Sequence, residues 1–224
     1  MSVDFLQLAV PGVRGLTPYQ PGKPIDELAR ELGLNEADIV KLASNENPFG
    51  PSAAVTAAMT AAMADMSLYP DGAGFELKAE LSKRLGVDAN QLTLGNGSSD
   101  ILDFIVRVFV NDGDEVVVSE HAFAVYGLVT RMQCGSIVEV PARDYGHDLM
   151  AMAAAITDKT RVVFVTNPNN PTGTWNTRDE LLAFMKAVPA HVLVLLDEAY
   201  FEYVDHPDYP NGIDLLAQFP NLVV

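Results

Sequence analysis

The run Arg161-Val-Val-Phe-Val-Thr-Asn-Pro-Asn-Asn-Pro-Thr-Gly173, taken with His191-Val-Leu-Val-Leu-Leu-Asp-Glu-Ala-Tyr200, decides the fold. Each is a short β-branched or leucine-rich stretch that stops on a polar cluster. Such runs read as strands buried on both faces of a parallel sheet. In open α/β sheets, ligands bind beyond the carboxyl ends of the strands, where both clusters fall. The amide-rich turn from Asn167 to Gly173 and the carboxylate of Asp197 are therefore expected in one crevice.

Outward from this pair, strand and helix patterns alternate. Strands are predicted at 91–94, 115–118, 136–140 and 221–224, and helices at 52–63, 75–85, 101–110, 123–133, 149–156 and 177–187. That alternation predicts a three-layer α/β/α architecture with a mostly parallel sheet. Residues before Pro51 are rich in Pro and Gly, with one short helix at 25–32 stopped by Gly33, and read as an arm lying on another surface. The stretch 52–64 reads as an alanine helix capped by Ser52 and close-packed through its small side chains.

Composition narrows the function classes. A net charge of −16 over 224 residues argues against a nucleic-acid surface, which needs clustered Lys and Arg. No apolar run reaches the ~18 residues of a membrane span. The start, Met1-Ser-Val-Asp4, lacks a secretory leader's pattern. Cys134, the single cysteine, excludes an intrachain disulfide and reads as a small buried filler in a helix-like stretch. A cytoplasmic protein is expected. His121, His147, His191 and His206 lack metal-ligand spacing, and Trp175 reads as packing.

Three clusters bear on chemistry. Gly95-Asn-Gly-Ser-Ser-Asp100 joins a predicted strand to a helix, where glycines allow a tight turn and free amides attract phosphate. Its last position is Asp100, so it is a poor dinucleotide fingerprint. Asp197 follows five apolar residues and needs a cationic or hydrogen-bonding partner. One reading is an N-cap or structural ion pair. A magnesium-binding Asp of a nucleotide hydrolase fails, because the one Gly-Lys is Gly22-Lys23-Pro24, inside the arm. A third reading makes Asp197 the partner of a pyridinium nitrogen, with Asn170 and Tyr200 donating to a phenolic oxygen and Phe123 stacking on the ring.

Asn167-Pro-Asn-Asn-Pro-Thr-Gly173 followed by Asp197-Glu-Ala-Tyr200 resembles the fold-type I pyridoxal-phosphate aminotransferases, over essentially the whole chain. Within that group, Pro18-Tyr-Gln-Pro-Gly-Lys-Pro24, Lys41-Leu-Ala-Ser-Asn-Glu-Asn-Pro-Phe-Gly-Pro51 and Tyr69-Pro-Asp-Gly72 resemble the histidinol-phosphate aminotransferase subfamily. The resemblance implies pyridoxal 5'-phosphate as cofactor. It pairs Asp197 with the pyridine nitrogen, Asn170 and Tyr200 with the phenolic oxygen, and the backbone amides of Ser98 and Ser99 with the phosphate. Phe123 stands where relatives often carry a stacking tyrosine. Tyr69 would reach the cofactor phosphate of a partner subunit, implying a homodimer, and Tyr19 and Asn45 would border the substrate. Residues 1–50 would form the arm and part of a small domain, and residues 51–224 a truncated cofactor-binding large domain.

The implied reaction is amino transfer between histidinol phosphate and 2-oxoglutarate in histidine biosynthesis. An aromatic-amino-acid aminotransferase is the alternative. In the family the Schiff-base lysine sits in a Ser-x-x-Lys or Ser-Lys segment after the strand that here ends at Val224, and none of Lys23, Lys41, Lys78, Lys83, Lys159 or Lys186 has that context. The Schiff-base lysine is thus expected after Val224, and the chain is expected to be the N-terminal portion of a longer enzyme. A non-catalytic dimerisation or regulatory fragment is a further alternative, and a nicotinamide-dependent oxidoreductase the most distant.

Overall fold

The computed structural model describes residues 4–224, so the start of the chain falls in part outside the described residues. Among these, the helices are α1 (Ile25–Leu32), α2 (Ala53–Ala62), α3 (Phe75–Leu85), α4 (Ser98–Phe109), α5 (Ala124–Met132), α6 (Leu149–Ala154) and α7 (Arg178–Ala187). The strands are β1 (Glu115–Ser119), β2 (Ser136–Val140), β3 (Thr160–Thr166), β4 (Leu193–Asp197) and β5 (Leu222–Val223). The chain divides into two compact units, Pro18–Glu80 and Met1–Thr17 with Leu81–Val224.

In the unit Pro18–Glu80, α1 ends where Gly33 adopts a left-handed conformation, φ 64°, as a C-terminal glycine should. Ser52 caps α2, its side chain accepting from the Val55 amide. The expected close packing of this alanine helix is not found, because none of its residues is buried. Its larger apolar side chains stand outward, Val55 48% and Met59 65% exposed.

In the other unit, the five strands are all parallel and ordered β2-β1-β3-β4-β5. Side-chain alternation divides β3 and β4 between two cores. Val163, Val165, Val194 and Leu196 pack with Leu149 and Met152 of α6 and Leu181 and Phe184 of α7. Val162, Phe164 and Leu195 pack on the opposite face with Leu102 and Val106 of α4 and Tyr126 and Val129 of α5. Each fully buried Val or Leu contributes roughly 1.5–3 kcal/mol, so the sheet is held from both sides.

The predicted strand at 91–94 does not form. Leu92 to Leu94 run without a sheet neighbour, and a strand is defined by its ladder. Between Leu92 and the edge strand β5 lies an apolar cavity of about 370 Å³, lined by Ile101, Leu195, Val223 and Val224 among others. Cys134 also differs from expectation. It sits past the end of α5 at φ 59° and is only half-buried, because the chain there turns back through Gly135 into β2. Trp175 packs against His206 and Tyr209, with ring centroids 4.9 and 5.8 Å away.

Candidate active site

The register of β3 on β4 builds the site. Thr166 pairs with Asp197, so both strands end side by side, and the Asn167 amide donates to the Asp197 carbonyl at 2.9 Å. Two-residue periodicity puts Thr166 and Asp197 on the same face as Phe164 and Leu195, the face covered by α4 and α5. A carboxylate that follows a buried strand is thereby delivered to the N-terminal ends of two helices. Asp197 is 8% exposed. Its Oδ2 accepts from the Tyr126 hydroxyl at 2.8 Å and its Oδ1 from the Ala199 amide at 3.2 Å.

Around it, one cavity is lined by Ser98, Phe123, Thr166, Asn170, Asp197, Ala199 and Tyr200. Five residues singled out in the sequence therefore converge. Ser98 opens α4 three residues earlier than predicted, because Gly97 at φ 73° and ψ −179° serves as N-cap, a conformation that strains any residue with a Cβ. Ser99 follows it in the first turn, whose amides have no intrahelical acceptor. Phe123 is the N-cap residue of α5 and half-buried. Asn170 lies in the loop after β3, and Tyr200 just after β4.

That loop is tied down at several points. The Asn176 amide donates to Asn167 Oδ1 at 2.8 Å and Asn167 Nδ2 donates back to the Asn176 carbonyl at 3.2 Å. Tyr209 donates its hydroxyl to the Asn167 carbonyl. Asn169 Nδ2 donates to the His121 carbonyl at 3.2 Å and to Thr172 Oγ1 at 2.8 Å. Buried His147 accepts at Nε2 from the Thr166 amide at 3.2 Å. Burial holds its pKa down at about 4, so the ring is neutral at pH 7.

Tyr19, Asn45 and Tyr69 belong to the unit Pro18–Glu80. Tyr69 is fully exposed, Tyr19 half-exposed, and Asn45 takes φ 51°.

Tyr126 and Thr166 were not legible as site residues. A tyrosine inside the apolar stretch of α5 must find a partner for its hydroxyl when buried, and that was the available signal. Its partner lies 71 residues away, beyond any local pattern.

The arrangement suits pyridoxal phosphate by its donor set. A carboxylate carries about four acceptor positions, and two of those on Asp197 are taken by Tyr126 and Ala199, which leaves acceptor capacity at the cavity wall for a pyridinium N–H. First-turn amides at a glycine N-cap suit a phosphate. Among the described residues, no cluster of His, Cys, Asp and Glu could hold a metal ion, and no helix is long and apolar enough to cross a membrane.

Comparison with known proteins gives the family and the fold. The family model for aminotransferase class I and II matches residues 37–224. The chain is 57% identical to histidinol-phosphate aminotransferase 2 of Pseudomonas fluorescens and 58% identical to that of Pseudomonas aeruginosa, covering 100% and 99% of this chain. It spans about 60% of the length of these curated relatives. The crystal structure of histidinol-phosphate aminotransferase from Sinorhizobium meliloti in complex with pyridoxal-5'-phosphate superposes with a TM-score of 0.83 at 30% identity, over 95% of this chain and 56% of that one. The chain belongs to the aminotransferase class I and II family.

Proposed function

We propose that the protein containing these 224 residues transfers an amino group between histidinol phosphate and 2-oxoglutarate, using pyridoxal phosphate. The observation that carries this reading is the meeting of a buried Asp197 with Asn170, Tyr200, Phe123 and the start of α4 around one cavity, in a chain whose relatives bear that name. The cofactor, when bound, supplies an electron sink for the carbon that loses its proton.

The chain's own residues bind and orient. Asp197 holds a proton at the ring nitrogen, its carboxylate kept in place by Tyr126 and Ala199. Asn170 and Tyr200 donate to the phenolic oxygen, and Phe123 covers one ring face. The amides of Ser98 and Ser99 take the phosphate at the helix N-terminus. Tyr69 reaches the site of a partner subunit in a homodimer, and Tyr19 and Asn45 border the substrate. The lysine that the family resemblance calls for would lie in the length of the relatives that these residues do not span. The setting is the cytoplasm, in histidine biosynthesis.

The test is amine exchange by the whole gene product. Histidinol phosphate should be turned over in preference to phenylalanine, and Asp197→Asn should cut the rate by about a hundredfold or more, the scale seen when a preorganised electrostatic partner is removed. Preference for phenylalanine would point to an aromatic-amino-acid aminotransferase. Absence of any exchange would sink both.

A further inference from the structure

We infer that Tyr126 is a positioning residue for the cofactor seat, fixing the Asp197 carboxylate with its hydroxyl and the Phe123 ring with its edge. The inference rests on the proposed pyridoxal-phosphate reading and adds a residue to it. Tyr126 is 1% exposed and joins the two groups that would hold opposite parts of the ring. Its hydroxyl lies 2.8 Å from Asp197 Oδ2, and its ring meets Phe123 edge-on, with centroids 5.8 Å apart and planes at 89°.

Proton counting fixes the direction of the chain of hydrogen bonds. Tyr126 and Thr166 hydroxyls lie 2.6 Å apart, and each has one hydrogen. The Asp197 carboxylate only accepts, so Tyr126 donates to it and Thr166 must donate to Tyr126. A chain that runs one way into a carboxylate polarises each link, which strengthens the last one. Burial, then the neighbouring Asp197 charge, push the Tyr126 phenol far above its ordinary value, so it stays a donor throughout the accessible pH range.

The phenol has little freedom to do otherwise. Its ring stacks on Phe164 with centroids 4.5 Å apart and planes at 7°, and the Thr130 hydroxyl donates to its backbone carbonyl at 2.7 Å. Phe164 is the residue of β3 two before Thr166, on the same face. One side chain of α5 thus reads the positions of β3, β4 and its own helix start.

Losing the hydroxyl would leave Asp197 Oδ2 and Thr166 Oγ1 without partners in a buried place while the rings still pack. A carboxylate with one donor fewer has a less compensated charge, so groups held beside it would keep their protons to higher pH.

The experiment uses the whole gene product and compares wild type, Tyr126→Phe and Thr166→Val. Equilibrium dialysis gives the pyridoxal-phosphate dissociation constant, and the visible absorption of the bound cofactor is titrated with pH. Tyr126→Phe is expected to weaken binding about tenfold, the scale of one hydrogen bond to a charged group. Its absorption change should move to higher pH by about half a unit or more, a shift that a loss of packing alone would not cause. Thr166→Val, which keeps the Tyr126–Asp197 bond, should shift both in the same direction by less, and it decides the matter if the phenylalanine variant fails to fold. Unchanged affinity and titration in whichever of these variants folds, with wild type binding normally, overturns the role of Tyr126 alone. A wild-type protein that binds no pyridoxal phosphate removes the underlying reading as well.

Discussion

Asn167 and Asn176 hold each other by reciprocal hydrogen bonds, amide to side chain at 2.8 Å and side chain to carbonyl at 3.2 Å. The pair closes the loop that leaves β3 and carries Asn170. Both residues are buried, so neither has water as a substitute. Replacing Asn167 by Ala orphans the Asn176 amide and is expected to cost about 2 kcal/mol. For a chain of this size that lowers the melting temperature by roughly 5 °C. Calorimetry checks it, and an unchanged melting temperature would show that the loop is held elsewhere.

Buried His147 and half-buried Glu198 give opposite pH dependence in overlapping windows. His147 is held at about 4 by burial, against an ordinary 6.5. Between those values the unfolded chain takes up a proton that the folded one refuses, so stability is lost as pH falls. Glu198 is pushed from 4.5 up to about 7, first by burial and then by Asp214, Glu202 and Asp197, against the Gly212 amide that donates to it at 2.9 Å. Between 4.5 and 7 the folded chain keeps a proton that the unfolded one releases, so this contribution is lost as pH rises. The wild type should run nearly flat from pH 4.5 to 6.5. Glu198→Gln should unmask the histidine, with stability climbing by roughly 2 kcal/mol across that range. Urea titrations at three pH values decide it; parallel curves for the two proteins would refute the assignment.

Gly12 touches the end of α5. A Cβ there would sit 2.2 Å from the Arg131 carbonyl oxygen and 2.6 Å from that of Met132, both backbone atoms that cannot step aside. Gly12→Ala is expected to lift the segment around Pro11–Val13 off the helix, at a cost of roughly 1–3 kcal/mol. Limited proteolysis should then cut before Thr17 faster than in wild type.

The capping box of α7 is a local test. Thr177 accepts from the Glu180 amide at 3.3 Å, and Glu180 accepts from the Thr177 amide at 2.8 Å. Thr177→Ala should cost about 1 kcal/mol by chemical denaturation and leave pyridoxal-phosphate binding unchanged. A larger loss would mean that the cap also supports the packing of α7 on the sheet.

Much of the unit around the sheet could be read from periodicity, because its segments are dictated locally. The bounds of β2 and α3 coincide with the expected ones, and β3 and β4 end on the polar clusters that first marked them. What escaped depended on distant neighbours. Leu92 to Leu94 have a strand's composition but no ladder partner among the described residues. Cys134 lies where a helix pattern runs on although the backbone has already turned left-handed. In the candidate site, Ser98, Phe123, Asn170, Asp197 and Tyr200 are polar or aromatic residues at element ends, which sequence displays. Tyr126 and Thr166 were hidden because their meaning is a contact across the core.

The pairing of Thr166 with Asp197 ties chemistry to the arithmetic of the sheet. A slip of β4 by one residue would turn Asp197 toward α6 and α7 and present Leu196 to the cavity instead. The valines and leucines in the middle of β3 and β4 thus act as a ruler as well as a filling. Changes of volume among them, far from the cavity, should alter the site by moving the end of the ruler, so that in this molecule the error tolerance of the core sets the error tolerance of the candidate site.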